Sequence, residues 1–211
     1  MMKITEPIDG IFKIEVPFER IYTAVFVICL REGYLLIDCA TTDRDVDQRI
    51  LPALRALDLT DPPQALLLTH SHGDHAGGAS RLREHFPEME IYASEAVKSL
   101  PYRHLSDGEL LFDCLQALHL PGHTKQSVGY FHLPTGTLIS GDCLQQRGVD
   151  KYVNGVRYPS LYRESLRRLR TLPLCHILAS HDYVPLGAFA HGQAEITAYL
   201  DACERHCPKD F

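Results

Sequence analysis

The stretch Gln64-Ala65-Leu66-Leu67-Leu68-Thr69-His70-Ser71-His72-Gly73-Asp74-His75 governs the reading of the whole chain. Gln64–Leu68 is a short apolar run of buried-strand type, and it empties into four metal-ligating side chains within six residues. In an extended segment, residues i, i+2 and i+4 point the same way, so His70, His72 and Asp74 should converge. His75 lies one residue on and should face elsewhere, as a second, adjacent ion would require. Gly73, Gly77 and Gly78 permit a tight backbone path around such a site. With 12 histidines in 211 residues, this pattern arises by chance in about a few per thousand such chains. Metal ligation is the better reading.

Further ligands are available at other junctions between strand and loop. Pro121-Gly122-His123-Thr124 follows one strand run, Ser140-Gly141-Asp142 ends another and Ser180-His181-Asp182 a third. Strand ends are rigid places to hold ligands. Five histidines and two aspartates suit zinc or a similar first-row ion without any cysteine. Around them, strands are expected at Gly10–Val16, Ile21–Leu30, Tyr34–Asp38, Glu90–Ala93, Glu109–Phe112, Cys114–Leu120, Val128–His132, Thr137–Ser140 and His176–Ala179. Helices are expected over Asp43–Leu57, Ala79–Phe86, Ser94–Leu100, Ser160–Leu172 and around His191–His206. Strands followed by a helix, twice over, favour two packed sheets with helices outside over one doubly wound sheet.

Composition narrows the function classes. Basic residues number 21 and acidic residues 27, giving a formal charge of −6, so a polyphosphate backbone is a poor partner. No apolar stretch approaches membrane-spanning length, and the N-terminus lacks a signal-peptide core, so a cytoplasmic protein is expected. Seven cysteines without a Cys-x-x-Cys pair suit buried, unpaired thiols in a reducing compartment. No linker or low-complexity segment divides the sequence, and residues 1–211 read as one domain.

Thr69-His70-x-His72-x-Asp74-His75-x-Gly77-Gly78 resembles the signature of the metallo-β-lactamase superfamily. Asp38 in Leu35-Leu36-Ile37-Asp38, the Pro121–Thr124 segment, Gly141-Asp142 and His181 follow in that superfamily's order. The resemblance implies an αββα sandwich, an α+β arrangement of two mixed β-sheets with helices on the outer faces and metals at one open edge. It implies that His70, His72 and His123 hold a first ion. Asp74, His75 and His181 would hold a second, Asp142 would bridge the two, and Asp38 would orient ligands without binding metal. The implied cofactors are two Zn2+ ions, with Fe or Mn in one or both positions as the alternative.

The resemblance also separates branches. Asp142 stands where the defining lactamases carry cysteine or serine, and His72 stands where flavodiiron proteins carry glutamate. His181-Asp182-Tyr183 is similar to a segment of glyoxalase-II-like thioester hydrolases and of persulfide dioxygenases. Two departures from those branches are Gln126, where a glycine is common, and the mere 30 residues after His181, too few for a glutathione-holding helical domain. The implied chemistry is hydrolysis: two ions about 3.5–4 Å apart acidify a shared water, whose hydroxide attacks a thioester, activated ester or lactone carbonyl. Asp74 would orient the nucleophile or accept its proton. The alternative is a mononuclear-iron persulfide dioxygenase; a dedicated lactonase, a β-lactamase and a non-catalytic metal-binding domain rank lower. Candidate substrate contacts are Arg147, Lys151, Tyr152, Tyr158 and Tyr183. The expected partner is a small molecule, an anionic thioester among the candidates, with nucleic acid and membrane excluded and a homodimer left open.

Overall fold

A computed structural model describes residues 3–97, 100–146 and 155–209. Contacts divide the chain into two compact units, Met1–Leu105 and Ser106–Phe211. Among the described residues, no helix is long and apolar enough to cross a membrane.

The first unit is built on a seven-stranded sheet in the order β1 (Lys3–Ile8), β2 (Ile11–Phe18), β3 (Ile21–Cys29), β4 (Tyr34–Ile37), β5 (Ala65–Leu67), β6 (Glu90–Ala93) and β7 (Arg103–His104). Pairing is antiparallel from β1 to β4 and parallel from β4 to β7. Thr23–Ile28 and all of β4 are buried without alternation, the pattern of strands covered on both faces. One face packs Val25, Val27, Leu36, Leu66 and Leu68 against Val46, Ile50, Leu54, Ala79 and Leu82 from the helical segments. Each of the valine, leucine and isoleucine side chains contributes about 1.5–3 kcal/mol by leaving water.

The second unit carries a six-stranded sheet. In sequence its strands are β8 (Leu110–Leu111), β9 (Leu115–His119), β10 (Val128–His132), β11 (Thr137–Gly141), β12 (His176–Ala179) and β13 (Phe189–His191), and in space they run β13-β12-β11-β10-β9-β8. β11 and β12 are parallel, and the other pairs are antiparallel. It follows that β9, β11 and β12 all run in one direction, with their C-terminal ends at the same edge of the sheet. The helices Pro159–Leu169 and Gly192–Arg205 cover one face, where Tyr162, Leu166, Ile196, Tyr199 and Leu200 meet Leu118, Phe131, Leu138 and Ile177.

Several sequence expectations need correction. Asp43–Leu57 is not one regular helix: α1 (Asp43–Asp45), a π-helical turn (Val46–Ile50) and α2 (Leu51–Ala56) follow one another. Pro52 has no N–H to give to the carbonyl four residues back, and the Leu51 N–H instead reaches the Val46 carbonyl, five residues back. No helix forms among the described residues of 94–100, and β1 and β13 are strands that the apolar pattern did not reveal. No disulfide joins any of the seven cysteines, and Cys175 is exposed rather than buried.

Candidate metal centre

In the first unit, β5 ends at Leu67, the chain bends at Thr69, and His72 has extended backbone (φ −61°, ψ 148°) before the next helix. The chain then turns into the short helix α3 (Gly73–Ala76), so Asp74 and His75 stand on a helical turn rather than on a continuing strand. The strict alternation expected for His70, His72 and Asp74 is therefore not observed: the chain bends at Thr69 and Asp74 stands on a helical turn. The turn sits close against the chain after β4: a Cβ on Gly77 would overlap the Thr41 carbonyl. Cys39 and Gly78 donate backbone hydrogen bonds to His75 and Ala40 in the same contact.

Asp38, fully buried with φ 61°, organises these ligands. Its carboxylate accepts hydrogen bonds from the Thr69 N–H at 2.9 Å, the Thr69 hydroxyl at 2.9 Å and His75 Nδ1 at 2.7 Å. A carboxylate oxygen only accepts, so His75 carries its proton on Nδ1 and presents the Nε2 lone pair. The Thr69 hydroxyl spends its one proton on Asp38 and accepts from His70 Nδ1 at 3.0 Å, which leaves the His70 Nε2 lone pair for a ligand too. One carboxylate thus sets two imidazole tautomers, the usual role of a group behind metal ligands. His70 Nε2 lies 3.0 Å from His72 Nδ1, and His75 Nε2 lies 3.4 Å from Asp74 Oδ2. The four side chains form two pairs. The Thr23 hydroxyl donates to Asp74 Oδ2 at 3.2 Å.

In the second unit, the ends of β9, β11 and β12 lead to His123, Asp142 and His181 respectively. Asp142 divides its carboxylate: Oδ2 is 3.4 Å from His123 Nε2 and Oδ1 is 3.3 Å from His181 Nε2. Each carboxylate oxygen thus faces one imidazole. His123 Nδ1 lies 2.8 Å from the Gly155 carbonyl and 2.9 Å from the Gln145 amide nitrogen. With the proton on Nδ1 it donates to Gly155, and Nε2 then carries the lone pair. Tyr162 braces this side twice. Its hydroxyl accepts from the Gln145 N–H at 2.8 Å and donates to the Gln145 carbonyl at 3.0 Å. Burial pushes that hydroxyl well above the usual tyrosine range, so it keeps its proton. Its ring meets Gly122 (φ 153°), where a Cβ would lie 2.6 Å from Tyr162 Cδ2.

Of the candidate substrate contacts, Tyr183 is buried; its ring lies edge-on to His181, and its hydroxyl reaches Asp142 Oδ1 only at a long 3.5 Å. Tyr158 precedes the helix Pro159–Leu169 and takes the Lys125 ammonium over its ring at 5.3 Å. Arg147, Lys151 and Tyr152 lie outside the described residues. Thr69, Gln145, Gly155 and Tyr162 had no assigned part in the sequence reading. Thr69 could have been found from its place beside His70; the other three carry no local signal.

Residues 19–177 match the family model of the metallo-β-lactamase superfamily. The chain belongs to that superfamily. As a member of it, the chain is 31% identical over 174 residues to a hydroxyacylglutathione hydrolase of Aeromonas hydrophila, a match covering 77% of this chain and 66% of that protein. A hydroxyacylglutathione hydrolase of Xanthomonas campestris is 37% identical over 116 residues, covering 53% of this chain and 44% of its own length. These matches span less than two thirds of either relative. Among solved structures, a metallo-β-lactamase of Erythrobacter litoralis covers 97% of this superfamily member at a TM-score of 0.75 and 20% identity, which shows the fold. The protein TTHA1623, solved in a di-iron-bound form, covers 84% at a TM-score of 0.66 and 26% identity. The two mixed sheets with their helices are the metallo-β-lactamase fold.

Proposed function

We propose that this chain is a metal-dependent hydrolase of a small acyl thioester, with two ions held by side chains from both units. His70, His72 and His123 would hold one ion, Asp74, His75 and His181 the other, and Asp142 would join them. The observation that carries this reading is the divided Asp142 carboxylate, one oxygen toward His123 and the other toward His181. The two ligand pairs of the first unit, with lone pairs set by Asp38, support it from the other side. Two such ions supply Lewis acidity and a water acidic enough to deprotonate near neutral pH.

The chain's own residues do the rest. Asp74, steadied by the Thr23 hydroxyl, orients the attacking water and accepts its proton. Asp38 keeps His70 and His75 in the ligating tautomer, and Tyr183 and Tyr158 border the substrate. Thioester chemistry is favoured by the name that the sequence relatives share, hydroxyacylglutathione hydrolase. We take zinc as the metal, with iron as the alternative that the di-iron form of TTHA1623 suggests. The whole chain acts as one domain in the cytoplasm.

The test is a rate comparison on protein of known metal content. A small acyl thioester should be cleaved faster than the matching oxygen ester. No thioester turnover by the two-zinc protein, together with oxygen consumption on a persulfide after iron loading, would replace the reading with the dioxygenase.

A further inference from the structure

The second unit holds another close histidine pair, at the end of β12 opposite to the one that leads to His181. His176 opens β12 and His191 closes β13, and the two are direct cross-strand partners in the antiparallel ladder. Their Nδ1 atoms lie 3.0 Å apart, and their ring centroids are 4.8 Å apart at an interplanar angle of 28°. The pair is accessible: His176 is half-buried and His191 exposed. The Phe189 ring stacks on His176 at 6.2 Å and 12°. The Glu195 carboxylate accepts the His191 backbone N–H at 2.8 Å, which fixes the start of the following helix beneath the pair.

The two spacings are those of a pair that can share one ion. With imidazole–metal bonds of about 2.05 Å, nitrogens 3.0 Å apart subtend an angle of about 95° at a shared ion. The same construction, with each ring centre about 1.15 Å behind its nitrogen, puts the centroids about 4.7 Å apart. A straight N–H···N bond of 3.0 Å would spread them to about 5.3 Å. The observed 4.8 Å is close to the chelate value and shorter than that of a straight hydrogen bond, and a hydrogen bond bent at both rings reaches it as well. The pair His70 and His72 has nearly the same spacings, 3.0 Å between nitrogens and 4.6 Å between centroids.

We propose that His176 and His191 form a separate binding site for a divalent transition ion, at the edge of the six-stranded sheet. An angle near a right angle between two imidazoles is the cis arrangement of tetragonal ions, so Cu2+ and Ni2+ fit better than tetrahedral Zn2+. Two protein nitrogens with water in the other positions make this a weaker, exchangeable site. An ion there would tie the edge strand β13 to β12.

The experiment uses the full chain, first loaded with zinc, and Cu2+ alone as the probe. The unmodified chain should take up one Cu2+ with nitrogen hyperfine splitting from two imidazoles in its electron paramagnetic resonance spectrum. In His191→Ala the two-nitrogen signal should vanish and the affinity fall by about tenfold or more. His191 is exposed, so that variant should fold, and its zinc content and melting temperature without copper should match those of the parent. Copper should raise the melting temperature of the parent and not of the variant. The same two-nitrogen signal in His191→Ala, or no copper uptake at micromolar concentration by the unmodified chain, would overturn the proposal.

Discussion

In the first unit, four side chains proposed as ligands follow one another within His70–His75, and one buried carboxylate, Asp38, sets the tautomers of two of them. In the second, His123, Asp142 and His181 come from three strand ends separated by 19 and 39 residues of chain. There the shared element is Asp142 itself, and the bracing comes from Tyr162 and Gln145, which act through Gly155 on His123. The first arrangement is local in sequence and concentrated on one supporting group. The second depends on sheet direction, because the three strands run the same way. Damage should therefore spread differently: through both ion positions from behind the first set, and through one histidine at a time from behind the second.

The largest effect is expected at the bridge. Asp142→Ala should lose one of two ions and most of the activity, with the fold intact, because the remaining ligands stand on separate elements. Metal analysis after gel filtration checks this, and two retained ions with normal turnover would remove Asp142 from the centre. Next comes Asp38→Asn. The carboxylate accepts from three donors, and an amide offers one accepting oxygen, so His70 and His75 both lose definition. Affinity should fall by about 10–100-fold at both ion positions in a chelator competition.

Gln145→Leu makes the contrasting perturbation in the second unit. It removes the acceptor for the Gly155 N–H, and with it the hold on the Gly155 carbonyl that accepts from His123, and it should weaken only the ion that His123 would hold, by about tenfold. Equal weakening of both ions in this variant would erase the distinction between the two units. The smallest effect is expected for Tyr162→Phe, which takes away the hydroxyl bound to both backbone groups of Gln145. Stability should drop by about 1–3 kcal/mol in denaturant unfolding, with metal content nearly unchanged.

The same contrast explains what could be read from the sequence. His70, His72, Asp74 and His75 stand out because their clustering needs no fold to be noticed. The helical turn at Gly73 is hidden from the alternation rule, because the chain leaves the strand at Leu67 and bends at Thr69 before His72 caps the turn. The helix after Asp43 was legible from Val46, Ile50 and Leu54 on one stripe, but not its π turn, which follows from the missing N–H of Pro52. The edge strands β1 and β13 are partly exposed and lack an apolar pattern. Tyr162 and Gln145 are 17 residues apart, and only the packing of the helix Pro159–Leu169 on its sheet makes them partners.

The central claim is that the ligands of the two units serve one two-ion hydrolytic centre. The most direct measurement is turnover of a small acyl thioester by metal-free protein titrated with zinc, with bound zinc counted on the same samples. The account predicts little turnover at one zinc per chain and a rise to a plateau at two. A plateau at one zinc per chain, or no turnover with both positions filled, would contradict it.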